Sequence, residues 1–238
     1  MEQKKKISLR HFVNTNLKEI SGESGTDDKL YPLYMDIIYR RQHIQIKSLI
    51  DKRFPRDLKN ANETDRKQMT FEKARVSKII RFEENLFEDN HKLKGIGNRY
   101  INYNASVFYI IEDGLRAKLK SVIRKYWPAQ SALVNFDICV VPIENLFLAT
   151  KILWPELGHY LNLNSFELEL KIWGEYFKQF PRTDVGKFKY PSFIDWMADH
   201  HNNKLIGILK KNNIVAEHII EEIIGTIDKT IKSSTIGQ

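Results

Sequence analysis

Two arginines, Arg40 and Arg41, stand between two stretches of alternating apolar residues in YPLYMDIIYRRQHIQIKSLI, which runs from Tyr31 to Ile50. Cationic side chains at the tip of a hairpin are suited to holding phosphates, and such contacts give affinity and register without reading bases. Arg10, Lys47, Lys52, Arg53 and Arg56 flank them in the chain. These seven are the candidate nucleic-acid contacts. The competing role for arginines at a turn is to guard an exposed sheet edge against pairing with other chains.

Other constellations point to chemistry less directly. Asp137 followed by Glu169-x-Lys171, with Glu167 beside them, has the order of a Mg²⁺ nuclease site. There the carboxylates hold the metal and the lysine stabilises the attacking water, provided that alternate residues on a strand face one site. Here Phe166, Leu170, Trp173, Phe177 and Phe180 recur at helical spacing. A helix makes Glu167 and Lys171 an ordinary i, i+4 pair. Asp195, Asp199, His200 and His201, in DWMADHH, lack the zinc spacing of two histidines around a glutamate and read as a solvated helix end. Gly95 and Gly97 have no third glycine and read as a plain loop. A helix-turn-helix in the segment from Asn202 to Ile224 would need Arg, Lys or Asn pointing at bases from its second helix, which instead carries Glu217, Glu221 and Glu222 among isoleucines and valine. No catalytic triad order or nucleophile elbow is present. The reading is a protein that is not an enzyme and needs no cofactor and no metal.

Periodicity supplies the elements that would position these residues. Ile7 to Val13 alternate as a first strand. Asn14 to Leu30 are polar and Gly/Ser-rich, a long loop. In the hairpin, Leu33, Met35 and Ile37 must meet Ile44, Ile46 and Ile50 on one side, so odd positions pair with even ones across a loop of even length. No Asn-Gly or Gly-X favours a two-residue primed turn, and four residues are expected. The opposite, wet face would carry Tyr34, Asp36, Ile38, Arg40, His43, Gln45 and Lys47. Helical spacing then predicts helices over about 64–87, 104–126, 143–153, a fourth capped by Asn164 or Ser165, short ones at 192–200 and 203–211, and a last from Asn212 or Asn213 to Lys232. Residues 132–143, which include Cys139, fit either a buried strand or a helix. The fold class is α+β: a small N-terminal three-stranded antiparallel sheet followed by a mainly α-helical remainder.

The 238-residue chain has a net charge of +8, unevenly spread. Residues 1–60 carry 13 Lys/Arg against 8 Asp/Glu, residues 61–128 carry 14 against 9, and residues 129–238 carry 11 against 13. This predicts a basic β-sheet module (1–60), a basic helical segment (61–128) and a slightly acidic helical domain (129–238). A lone cysteine excludes an internal disulfide framework. MEQKKKISLR has no apolar stretch of signal-peptide type, and no run spans a bilayer, so a cytoplasmic protein without membrane contact is expected.

Residues 7–50 resemble the arm-type DNA-binding domain of bacterial tyrosine recombinases, the phage-integrase family. KISLR matches its first strand, YPLYMDIIYR the second and QHIQIKSLI the third. The resemblance implies a three-stranded sheet lying in a DNA groove with basic residues on phosphates. It covers about a fifth of the chain. The family's catalytic domain needs a His-x-x-Arg pair, and none of the seven histidines is followed by arginine at the third position. Binding without recombinase activity is the expectation: an accessory protein of a phage or other mobile element, with DNA or RNA as partner. The C-terminal helices would hold a protein or a second copy. The alternative is a helical protein-interaction or scaffold module with incidental basic charge, and a Mg²⁺-dependent nuclease is the third reading.

Overall fold

The computed structural model describes residues 6–17, 20–21, 29–88, 91–128, 143–180, 190–211 and 217–235. The expected α+β layout is present, but its two compact units divide at Asn104/Ala105 and not at residues 60 and 128. The reason is that the first long helix contacts the sheet, so cutting at residue 60 would split one core.

The first unit is built on a long central strand. β1 (Ser8–Val13), β2 (Ile20–Ser21), β3 (Lys29–Tyr39), β4 (Gln42–Lys47) and β5 (Arg53–Phe54) all pair antiparallel, and every pairing involves β3. β1 and β4 flank its second half and make the expected three-stranded sheet, while β2 and β5 pair only with residues 29–32. β3 thus starts at Lys29, inside the stretch read as loop. Alternation puts Leu33, Met35, Ile37 and Tyr39 of β3 in the core together with Ile46 of β4.

The hairpin corrects one expectation. Ile37 faces Ile44 and Met35 faces Ile46, as the odd-even rule required, but Tyr39 also pairs with Gln42. The connection is therefore only Arg40-Arg41, and both residues have positive φ (48° and 64°), the signature of a type I′ turn. Non-glycine residues there cost roughly 1–2 kcal/mol each. Two anchors hold the tight turn closed. Tyr39 is fully buried, and Gln42 Oε1 accepts from the Leu93 N–H at 2.8 Å. A four-residue loop would release both.

α1 (Glu63–Phe87) begins in a capping box in which Asn62 accepts from the Asp65 N–H at 2.8 Å and Asp65 reaches back. Its inner face carries Met69, Glu72, Val76, Ile79, Ile80 and Glu83. α2 (Ile96–Tyr103) occupies the stretch read as a glycine loop. Gly95 lies at its start with φ 78°, and Gly97 packs on β4, where an added Cβ would stand 3.4 Å from Ile46 Cγ2. Both glycines are thereby explained by a helix start and a close packing contact, with no phosphate loop.

The regular elements of the second unit among its described residues are helices: α3 (Val107–Tyr126), α4 (Ile143–Leu153), α5 (Leu163–Phe177), α6 (Phe193–Ala198), α7 (His201–Lys211) and α8 (Glu217–Thr235). α5 starts two or three residues earlier than expected, because Asn162 is the residue whose side chain accepts from an N–H of the first turn, that of Ser165, at 3.1 Å. Its aromatic stripe joins Phe108, Phe147, Phe193 and Trp196 in one core. The backbone at Ala105 and Val107 bonds to Phe193 and Pro191 at 3.0 Å, which ties the start of α3 to the start of α6. Cys139 and the ambiguous 132–143 stretch fall largely outside the described residues. No helix among the described residues is long and apolar enough to cross a membrane.

Candidate nucleic-acid interface

The solvent face of the sheet is assembled by register alone. Its rows are Ser8–Ile38–His43, Arg10–Asp36–Gln45 and Phe12–Tyr34–Lys47, followed by Pro32–Arg53. Arg10, Lys47 and Arg53 are exposed on it. Asp36 is the one carboxylate in these rows, and its charge is already engaged. His43 Nε2 bonds to Asp36 Oδ1, and Gln45 Nε2 donates to the same oxygen at 3.3 Å. The His43 bond holds the Asp36 carboxyl below its ordinary range against the upward push of burial, with help from Gln45 and the Arg10 charge. The face thus presents three cations around one acid that is already hydrogen-bonded to its neighbours.

The seven predicted contacts do not stay together. Arg10, Lys47 and Arg53 meet on this face. Arg41 is exposed at the end of the hairpin. Arg40 is removed from the expected clamp: it donates to Glu84 Oε1 at 2.9 Å and to the Glu88 carbonyl at 3.0 Å, and it lies 5.5 Å from the Tyr39 ring centre. Its role is to fasten the turn to the end of α1. Burial pushes the Glu84 carboxyl up, but hydrogen bonds from Tyr39, Arg81 and Arg40 outweigh it and hold the group at about 2. Lys52 is also engaged, with Nζ 2.7 Å from both oxygens of Asp65, which ties the loop after β4 to the start of α1. Arg56 is exposed in the connection after β5, outside the four rows.

Comparison of the chain with protein-family models, curated proteins and solved structures finds no match.

Behind this face lie two polar clusters that pattern reading missed. Glu72 is buried and accepts from Ser48 Oγ at 2.6 Å, the Leu49 N–H at 2.7 Å and Tyr100 Oη at 2.9 Å, and lies 2.7 Å from His11 Nε2. Glu83, fully buried, lies 3.0 Å from His91 Nε2 and accepts from Arg99 Nε at 2.7 Å. Burial pushes both carboxyls up, but these partners outweigh it and both end below the ordinary range. Desolvation and the neighbouring carboxylate push the Tyr100 and Tyr103 hydroxyls well up. The missed signal was positional: Glu72 and Glu83 fall in the same helical register as Met69, Val76, Ile79 and Ile80. Their carboxylates are buried, and the clusters join the sheet, α1 and α2.

The remaining candidates are dispersed. Glu167 and Glu169 sit on α5, as the helical stripe required, and pair with Lys151 at 2.6 Å and Lys118 at 2.8 Å. Asp137 lies outside the described residues. Asp195 caps α6 through Ser192. His201 is not on a solvated helix end as expected: it is buried, 2.9 Å from Tyr176 Oη, because α7 turns it into the aromatic core. Among the described residues no group of His, Cys, Asp and Glu is arranged to hold a metal ion.

Proposed function

We propose that the N-terminal unit binds nucleic acid through the solvent face of its sheet, as an accessory protein without catalysis of its own. One observation carries this: Arg10, Lys47 and Arg53 are exposed on a face whose single acid, Asp36, is held by His43 and Gln45. The charge balance by unit supports it. Residues 1–104 hold 22 Lys/Arg against 15 Asp/Glu, whereas residues 105–238 hold 16 against 15, so nearly all of the excess belongs to the unit with the sheet. Phosphate contacts of this kind release counterions, and binding weakens steeply with salt.

The test is anisotropy of labelled DNA at about 50 and about 200 mM salt, with each phosphate contact contributing roughly one unit of log–log slope. Lys47→Glu with Arg53→Glu should weaken binding at least tenfold and flatten the slope by about two. Unchanged affinity in that variant would sink the reading.

A second reading attaches to the helical unit. Leu148, Ile152 and Leu153 of α4 are 56, 78 and 62% exposed, which is unusual for three aliphatic residues on one helix. This supports association with a protein or a second copy, and loss of a sedimenting oligomer in Ile152→Glu checks it.

A further inference from the structure

The outer face of the sheet carries more than charge. Phe12 and Tyr34 are cross-strand partners there, with ring centres 6.0 Å apart and planes tilted by 43°, and both are half-buried. Ile38, one row beyond Asp36, is 45% exposed. In an antiparallel sheet with one face in the core, the outer positions are ordinarily polar. Here two aromatic rings lie in the same row as Lys47, with Arg10 one row away on β1 and Arg53 across from Pro32.

We infer that this face is a stacking platform for single-stranded nucleic acid, with Phe12 and Tyr34 taking base faces and Arg10, Lys47 and Arg53 taking phosphates. The inference rests on the nucleic-acid reading above and narrows it. A duplex offers phosphates and base edges, but its base faces are covered by its own stack. The rings then gain little from it. A single strand offers unstacked faces and phosphates together, and it matches both halves of the patch. Stacking is tolerant of sequence because every base has a π face.

The experiment compares one labelled 15-mer DNA, single-stranded and then annealed to its complement, against the full chain at two salt concentrations. The single strand should bind at least tenfold more tightly. Phe12→Leu with Tyr34→Leu, which keeps the sheet apolar here, should weaken single-strand binding roughly 5- to 100-fold. Its salt slope should not change, and duplex binding should barely move. Tyr34→Phe, which keeps a ring, should retain the affinity, and matched circular dichroism of all variants separates loss of stacking from loss of fold. Equal binding of both forms, or a ring variant that binds the single strand normally, overturns the platform. If Lys47→Glu with Arg53→Glu still weakens binding in that case, the phosphate reading survives alone. If neither form binds at low salt, both readings fall together.

Discussion

The two units solve the problem of a stable interior by different chemistry. The second unit buries mainly aromatic and aliphatic side chains, with a few polar tethers, such as Tyr176–His201 and Trp196 Nε1 to Asp228 at 2.9 Å, and one buried cation, Arg116, paired with Glu112 at 2.6 Å. The first buries two ionised glutamates under its sheet and surrounds each with donors. Among the described residues it also holds three of the four non-glycine residues with positive φ, at Arg40, Arg41 and Glu88. An apolar core is stabilised in proportion to the area it removes from water. An ionic one stabilises only while every partner stays in place, since a lone buried charge is costly. The lesson is that the unit with the charged outer face is also the one sensitive to single polar changes and to acid.

The sharpest way to break this contrast is a pair of truncations. Phe166→Ala in the second unit should cost about 3–5 kcal/mol by opening a cavity. Tryptophan fluorescence in a urea titration reads it locally, because all four tryptophans lie beyond Ala105. Glu83→Ala should cost about 3 kcal/mol in the first unit, read by circular dichroism. The two then part company: Glu83→Leu with Arg99→Met and His91→Phe should recover most of the loss, since apolar replacement of a buried ion cluster is often neutral. If the triple variant stays as unstable as the single one, the ionic core is supplying more than paired charge.

Acid gives a smaller effect. Glu72, Glu83 and Glu84 titrate lower in the folded chain than unfolded, so the unfolded state binds more protons and stability rises with pH across the window. Their contribution is fully present above about 4.5 and is lost as pH falls toward the Glu84 value of about 2. Melting by circular dichroism at pH 7, 4 and 3 should show a progressive drop, with the tryptophan signal less affected. An equal drop in both signals would erase the distinction between the cores.

The smallest effect is a gain. Arg41 is exposed at a left-handed position, so Arg41→Gly should stabilise by about 1 kcal/mol in thermal melts. Arg40→Gly should not, because it also deletes the bonds to Glu84 and Glu88.

Period-two and period-3.6 patterns made the sheet, the odd-even register and most helices legible in the sequence, because side-chain direction follows chain position within one element. That is why the rows carrying Lys47, Gln45 and His43 opposite Tyr34, Asp36 and Ile38 were foreseeable. α2 was not: its eight residues are too few for a period to stand out beside two glycines, and packing of Gly97 on Ile46 decides it. The phosphate candidates were legible as a cluster but not as a site. Which cations remain available depends on where carboxylates far along the chain arrive, and Glu84 and Asp65 take Arg40 and Lys52.

The sequence by itself determined that a basic hairpin with an apolar inner face exists, since alternation and charge are properties of neighbouring residues. Only the tertiary structure decided that Phe12 joins Tyr34 and Lys47 in one row, that the hairpin closes on two strained arginines, and which donors meet Glu72 and Glu83 inside. Each of these depends on partners tens of residues apart, and local propensity carries no information about such meetings.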